Sequence, residues 1–278
     1  MIAHRGASKE APESTKAAYS LAVEQGADYL EADLQRTLDG EIVVFHNRCL
    51  KSLSNVEGVF PDRENYNLEN FRYQELKKLD FGSWFNQKYP NKAKAEFENL
   101  KILSLRELLA IAEIANNSTG LFLEFKHPDF FPGIEKETIK ILAEKGWLKK
   151  KNGLYHPVNS STSRLVFISF NIHSLDKVKK MAPDCLCILL INDNMIGRRS
   201  WKKWLELANN RVNGLGPKGF VAWPWHIAAA HDKELFVAPY VINQIWQAKI
   251  MSHFKADAYI TDKPGSILNF LGRIDRFV

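Results

Sequence analysis

The sequence predicts an α/β chain folded as a (β/α)8 barrel with a small, partly helical insertion after the second strand. Three observations carry this expectation. Short apolar runs alternate with helix-period segments, the pattern of parallel strands joined by helical crossovers. About eight such units in 278 residues fit a closed barrel better than an open doubly wound sheet. The alternation stops between Asn47 and Leu100, where Leu68, Phe71, Leu76, Leu79, Phe81, Trp84 and Phe85 still supply apolar anchors. A structureless loop that long is unusual in a compact domain, so these residues read as a lid or small subdomain above one barrel mouth.

In chain order, the predicted strands cover residues 1–4, 29–34, 41–46, 121–125, 165–170, 186–191, 220–223, 235–241 and 258–261. The first helix has Ser14 or Thr15 as its cap, Ala17, Ala18, Leu21 and Ala22 as its apolar face, and Gly26 at its left-handed end. A second opens on Ser104-Leu105-Arg106-Glu107, a capping-box pattern, and runs to about Asn116. Further helices fit residues 132–145, 174–181, 200–208, 243–254 and 266–271. Length alone also admits two domains. The alternation favours one barrel domain over 1–278, with its insertion at about 48–99.

Composition narrows the function classes. The chain is 45% hydrophobic and 25% charged, enough apolar residue for a large core. A net charge of +6 suits an anionic ligand, but the Lys and Arg are spread along the chain rather than gathered into a nucleic-acid-binding face. Cys49, Cys185 and Cys187 form no disulfide framework, and the last two fall in or beside a strand-like run as inert core thiols. No apolar stretch approaches the roughly 18 residues that cross a bilayer. The chain opens on the strand-like Met1-Ile2-Ala3 without an apolar signal region, so a cytoplasmic location is expected, with a periplasmic or secreted one the alternative if a leader has been removed.

The chemistry gathers at strand ends. The first strand ends at His4-Arg5-Gly6, the second carries Glu31-Ala32-Asp33, its continuation ends at His46-Asn47, and the next ends at Glu124-Phe125-Lys126. In a parallel barrel these ends share one mouth. Alternate residues of a strand share a face, so Glu31 points with Asp33 and Glu124 with Lys126. Three carboxylates without a thiolate suit one hard divalent cation, Mg2+ or Ca2+. Arg5 and Lys126 are suited to a phosphate, and His4 and His46 to acid–base work near neutral pH. Taken singly, His4-Arg5-Gly6 also reads as a turn and each charged residue as a solvated edge group; their coincidence at strand ends favours a site.

These residues resemble the glycerophosphodiester phosphodiesterases. The similarity runs through Ile2-Ala3-His4-Arg5-Gly6-Ala7, Pro12-Glu13-Ser14-Thr15, Gly26-Ala27-Asp28, Glu31-Ala32-Asp33, Thr37-Leu38-Asp39-Gly40 and Val43-Val44-Phe45-His46. It continues through Leu79-Asp80-Phe81-Gly82-Ser83-Trp84, Leu103-Ser104-Leu105, Leu123-Glu124-Phe125-Lys126, Ile168-Ser169-Phe170-Asn171 and Ile260-Thr261-Asp262-Lys263-Pro264. The resemblance implies a triosephosphate-isomerase-type barrel that cuts glycerophosphodiesters to glycerol 3-phosphate and an alcohol. It implies His4 and His46 as the acid–base pair, Glu31, Asp33 and Glu124 as metal ligands, and Arg5 and Lys126 as phosphate contacts. The chain departs from the family pattern at Asn47, where an Asp is usual, at Ser14, where an Asn is usual, and at Tyr240-Val241-Ile242-Asn243 in place of Trp-Thr-Val-Asn. Tyr240 keeps an aromatic wall residue there, and Trp223 in Trp223-Pro224-Trp225-His226 reads as loop wall and substrate rim.

In the expected mechanism one histidine activates water or the neighbouring glycerol hydroxyl, the second route passing through a cyclic phosphate, and His46 protonates the departing alkoxide. Two alternatives stand beside it. One is lysophospholipase-D-type cleavage of a larger lipid diester, with the insertion sheltering an acyl chain and the helix at 200–208 on a membrane. That helix's Trp201, Trp204, Leu205 and Ala208 spacing fits core packing better, so peripheral membrane contact is not favoured. The other is a barrel that binds phosphodiesters without cleaving them. No catalytic role is assigned to His127, His226 or His231.

Overall fold

The structure is a computed structural model that describes residues 1–114, 119–158 and 164–273. Eight parallel strands follow one another around the sheet in chain order: β1 (Ile2–His4), β2 (Tyr29–Arg36), β3 (Gly120–Phe125), β4 (Leu165–Ser169), β5 (Leu186–Ile191), β6 (Gly214–Pro217), β7 (Phe236–Val237) and β8 (Ile260–Thr261). β1 pairs with β8, and the gap from β7 to β8 closes through Asp257 N–H to the Val237 carbonyl and Ile260 N–H to the Pro239 carbonyl, each 3.0 Å. The sheet is therefore a barrel. Eight helices follow the strands: α1 (Lys16–Glu24), α2 (Leu105–Ile114), α3 (Ile134–Glu144), α4 (Ile172–Met181), α5 (Trp201–Ala208), α6 (Pro224–His231), α7 (Ile245–His253) and α8 (Pro264–Phe270).

Local sequence explains the helix starts. Thr15, not Ser14, caps α1 by accepting from Ala18 N–H, and Gly26 takes φ +80° just past its end. Ser104 and Glu107 cap α2 reciprocally, each side chain bonded to the other's backbone N–H. The expected end of that helix near Asn116 lies outside the described residues.

Two apolar layers sit on opposite faces of the strands. Ile2, Phe122, Val166, Ile168, Ile188, Leu190, Ala238 and Ile260 fill the barrel interior. A larger core, including Leu30, Leu34, Leu121, Phe125, Phe167 and Leu189, lies between strands and helices. Each fully buried side chain of this size stabilises the fold by about 1.5–3 kcal/mol. Strand periodicity then builds the site, because one step of two along the inner face leads from Ile2 to His4, from Tyr29 to Glu31 and Asp33, from Phe122 to Glu124, and from Ile260 to Asp262. The apolar inner layer is the floor on which the polar groups stand.

The insertion follows β2. Residues Ile42–Val44 turn back antiparallel along β2, and Leu103–Ser104 pairs antiparallel with them. Between lie the short helices Val56–Val59, Tyr73–Leu76 and Ser83–Lys88. Val43, Phe45, Leu68, Phe71, Leu76, Leu79 and Phe81 form its own core, while Phe85 joins Phe97 against Ala11 and Ala18.

Three expectations need correction. The sixth strand is Gly214–Pro217, not residues 220–223, which run from the 3-10 turn Gly219–Val221 to Trp223 at the start of α6. Trp223-Pro224-Trp225-His226 is thus the start of a helix, with Pro224 at its first turn, where a missing N–H costs nothing. The seventh strand covers only Phe236–Val237, because Pro239 cannot donate to a continuing ladder. A hairpin of Leu148–Lys151 with Leu154–Pro157 and the helix Asp193–Arg198 were not anticipated. The expectation for residues 200–208 holds, with Trp201, Trp204, Leu205 and Ala208 all buried.

Candidate active site

A cavity of about 170 Å3 opens at the C-terminal ends of the strands. His4, Arg5, Glu31, His46, Glu124, Lys126 and Tyr240 line it, with Ile168, Leu190 and Ile260 as its floor. Register explains the convergence. His4 lies opposite Glu31, and Asp33 opposite Glu124, on neighbouring strands.

Glu31, Asp33 and Glu124 are buried, and they can each present an oxygen within 4.8 Å of the others. Their charge states diverge. Burial, then repulsion from Asp33 and Glu124, pushes the Glu31 carboxyl well above the usual carboxylate range. Burial and Asp33 push Glu124 up to about 7. Burial also opposes the Asp33 charge, but Lys126 and Arg5 outweigh it and hold that carboxyl well below its ordinary value. Lys126 Nζ stands 3.0 Å from Glu124 and 3.4 Å from Asp33, and Arg5 Nε stands 3.2 Å from Asp33. Burial weakens both cations, yet the surrounding carboxylates more than restore them, so both stay charged.

Arg5 has a left-handed backbone, φ +55°, which turns its N–H to Glu31 Oε2 at 2.9 Å while its guanidinium reaches Glu13 at 2.9 Å. Tyr19 supports the opposite side of β2 by donating its hydroxyl to the Glu31 carbonyl at 3.1 Å.

The two imidazoles are held differently. His4 Nδ1 lies 2.6 Å from Asp262 Oδ1. Burial would raise Asp262, but the His4 hydrogen bond and a bond from the Asn243 amide keep its carboxyl at about 2. His46 Nδ1 lies 2.7 Å from Asn47 Oδ1, whose amide nitrogen donates to Ser52. Burial, joined by Arg5 and Lys126 and opposed by Asp33, lowers the His46 pKa and leaves the ring neutral at pH 7. Each ring therefore has Nδ1 engaged and Nε2 available.

A family model described as the Glycerophosphoryl diester phosphodiesterase family matches residues 4–266. The chain belongs to this family. Among its relatives are a glycerophosphodiester phosphodiesterase of Bacillus subtilis, 31% identical over 87% of this chain and 76% of the relative, and one of Caldanaerobacter subterraneus, 29% identical over 98% and 97%. A phosphodiesterase from Oleispira antarctica, solved in complex with the product sn-glycerol-3-phosphate, matches with a TM-score of 0.75 at 26% identity, covering 98% of this chain and 96% of that one.

Of the residues picked out from this family member's sequence, His4, Arg5, Glu31, Asp33, His46, Glu124 and Lys126 come together, and Tyr240 forms a wall with Phe170. Trp223 does not join them. It is half exposed and lines a separate apolar groove on the same rim. Sequence reasoning gave no role to Asp262, Asn243 or Glu13, although Asp262 directly follows the last strand and Glu13 sits in a quoted motif. The strand-end position of Asp262 was the available signal. His226 stacks on Trp201 and His231 pairs with Asp257, both away from the cavity.

Proposed function

We propose that this chain hydrolyses glycerophosphodiesters to sn-glycerol 3-phosphate and an alcohol. The observation that carries the reading is the meeting of two imidazoles, a guanidinium, an ammonium and three buried carboxylates at one barrel mouth in a chain of this family. The product bound to the Oleispira antarctica relative supports the substrate class.

Glu31, Asp33 and Glu124 would hold one divalent cation, Mg2+ or Ca2+. The donor set fits: all three are hard oxygen ligands, and their mutual repulsion in a buried site calls for added positive charge. When bound, the cation supplies Lewis-acid polarisation and charge compensation at the phosphate. Arg5 and Lys126, which border the carboxylates and line the cavity, share the remaining phosphate charge.

Asp262 fixes the His4 tautomer and supports the positive charge that His4 acquires on taking a proton at Nε2, the arrangement of a general base. His46 has a neutral amide behind it and gives up a proton readily, which suits the leaving-group acid once the substrate anion has helped to load it. The nucleophile is water or the substrate's own glycerol hydroxyl, and a cyclic phosphate seen by phosphorus NMR identifies the second route. The insertion's apolar anchors are spent on its own core, which favours a small diester over a lysophospholipid.

The test is an assay of glycerophosphocholine, glycerophosphoethanolamine and lysophosphatidylcholine with Mg2+ or Ca2+. Glycerol 3-phosphate is expected from the first two, with loss on chelation. His4→Ala and His46→Ala should each lower turnover by about 10²–10⁴-fold. Near-wild-type turnover in both variants would sink the acid–base pair. Full activity after exhaustive chelation, checked by metal analysis, would sink the cation reading.

A further inference from the structure

We propose that a groove beside the catalytic cavity receives the departing alcohol, and that Asp129 makes it selective for an alcohol carrying a protonated amine. The inference rests on the proposed hydrolysis of glycerophosphodiesters and adds which leaving group the site prefers. The groove, of about 660 Å3, crosses the ends of β3, β4 and β5. Glu124, Lys126 and Phe170 line both this groove and the catalytic cavity, so the two share a wall. A diester whose phosphate meets Lys126 therefore has the groove beside it.

The groove lies on the side of the proposed acid. Arg48, two residues beyond His46, stands 3.8 Å over the Phe130 ring. Phe130 closes the 3-10 turn Pro128–Phe130, which His127 starts with a left-handed backbone, φ +47°. Pro128 and Asp129 of the same turn line the groove. An alcohol that takes its proton from His46 thus leaves beside this turn.

Asp129 differs from the other carboxylates nearby. Glu124 is paired with Lys126 and Asp193 with Lys218, whereas among the described residues no Lys, Arg or His pairs with Asp129. Its hydrogen-bond partner is the Asn171 amide, whose Nδ2 donates to the two carboxylate oxygens at 3.2 and 3.4 Å. A carboxylate accepts and never donates, and one without a cation meets an ammonium through a charge-assisted hydrogen bond. The groove's other unpaired charge, Arg199, lies 4.8 Å over the Trp204 ring of α5, outside the ring of strands. A two-carbon amino alcohol extends only a short way from the phosphate, and Asp129 follows Lys126 by three residues. Asp129 is therefore the charge that such an alcohol meets first.

The experiment compares glycerophosphoethanolamine with glycerophosphoglycerol, whose leaving alcohol is uncharged, in the full chain and in Asp129→Asn with Mg2+ or Ca2+. The wild type should prefer the first. In Asp129→Asn its kcat/KM should fall by about tenfold while that of glycerophosphoglycerol stays within about twofold. The second substrate is the internal control for folding, and Asp129 is exposed, so no core contact is lost. An unchanged substrate ratio in Asp129→Asn overturns the proposal. So does a ratio moved by Arg199→Ala and not by Asp129→Asn, which would assign the groove to an anionic alcohol. Calorimetric binding of glycerophosphoethanolamine separates this inference from the proposed hydrolysis. A chain that cleaves neither diester but binds this one about tenfold more weakly as Asp129→Asn keeps the subsite and loses the hydrolysis. Equal binding by both proteins, or none by either, overturns the subsite.

Discussion

A carboxylate stands behind His4 and a carboxamide behind His46, and the two differ by one charge at nearly the same distance. Asp262→Asn keeps the size and removes the charge, and an amide can turn its NH2 toward Nδ1 and invert the tautomer. Steady-state kinetics should show kcat lower by about 10²–10⁴-fold with little change in KM. Asn47→Asp does the reverse at the other ring. A carboxylate beside His46 raises its pKa, and an acid that keeps its proton longer moves the alkaline limb of the kcat/KM profile upward by about one pH unit. Movement of the acidic limb instead would assign His46 as the base. Both imidazoles were legible in sequence because they end strands. Asp262 lay in a quoted motif, but its value depends on a pairing across the barrel seam that one sequence does not display. Ser14 or Thr15 was expected as the cap; Thr15 holds that place, and Ser14 takes φ +59°, a left-handed conformation that Asn tolerates better than Ser.

Among the elements, β1 to β5 were placed by their apolar runs, β7 was expected too long, and β6 was missed. Its sequence, Gly214-Leu215-Gly216-Pro217, lacks bulk because neighbouring strands come too close for it. A Cβ on Gly214 would meet the Phe236 carbonyl oxygen at 2.6 Å, and one on Gly216 the Leu190 side chain at 2.6 Å. The apolar run at 220–223 looked more like a strand because exposed rings and core rings are indistinguishable by composition. The insertion was visible as an interruption with anchors, and its internal order rests on a similar close approach. A Cβ on Gly82 would lie 1.8 Å from the Phe97 carbonyl oxygen, so neither chain can yield without moving backbone. Gly82→Ala should destabilise the protein by about 1–3 kcal/mol in urea unfolding, with the insertion loosening first in hydrogen exchange.

At the scale of the whole molecule, the buried carboxylates link stability to pH and, on the proposed function, to cations. Glu124 titrates near 7 in the folded chain against 4.5 for an ordinary glutamate, and Glu31 is displaced in the same direction. A carboxyl with a raised folded pKa binds its proton more tightly when folded. Its contribution is complete below about pH 4.5 and is lost as pH rises through about 7. Thermal melting of the cation-free protein should therefore show this contribution declining across that window. Added Mg2+ or Ca2+ should raise Tm more at pH 8 than at pH 5, where protons already neutralise the cluster. An equal rise at both pH values would contradict the assignment of these carboxylates.

His4 and Asp262 meet across 258 positions of sequence, at the seam where β1 joins β8. His4 is synthesised long before Asp262 and has no such partner until β8 is in place. The pair is thus a record of completed folding: if His4 acts as proposed, a truncated or half-wound barrel lacks the partner that its imidazole needs.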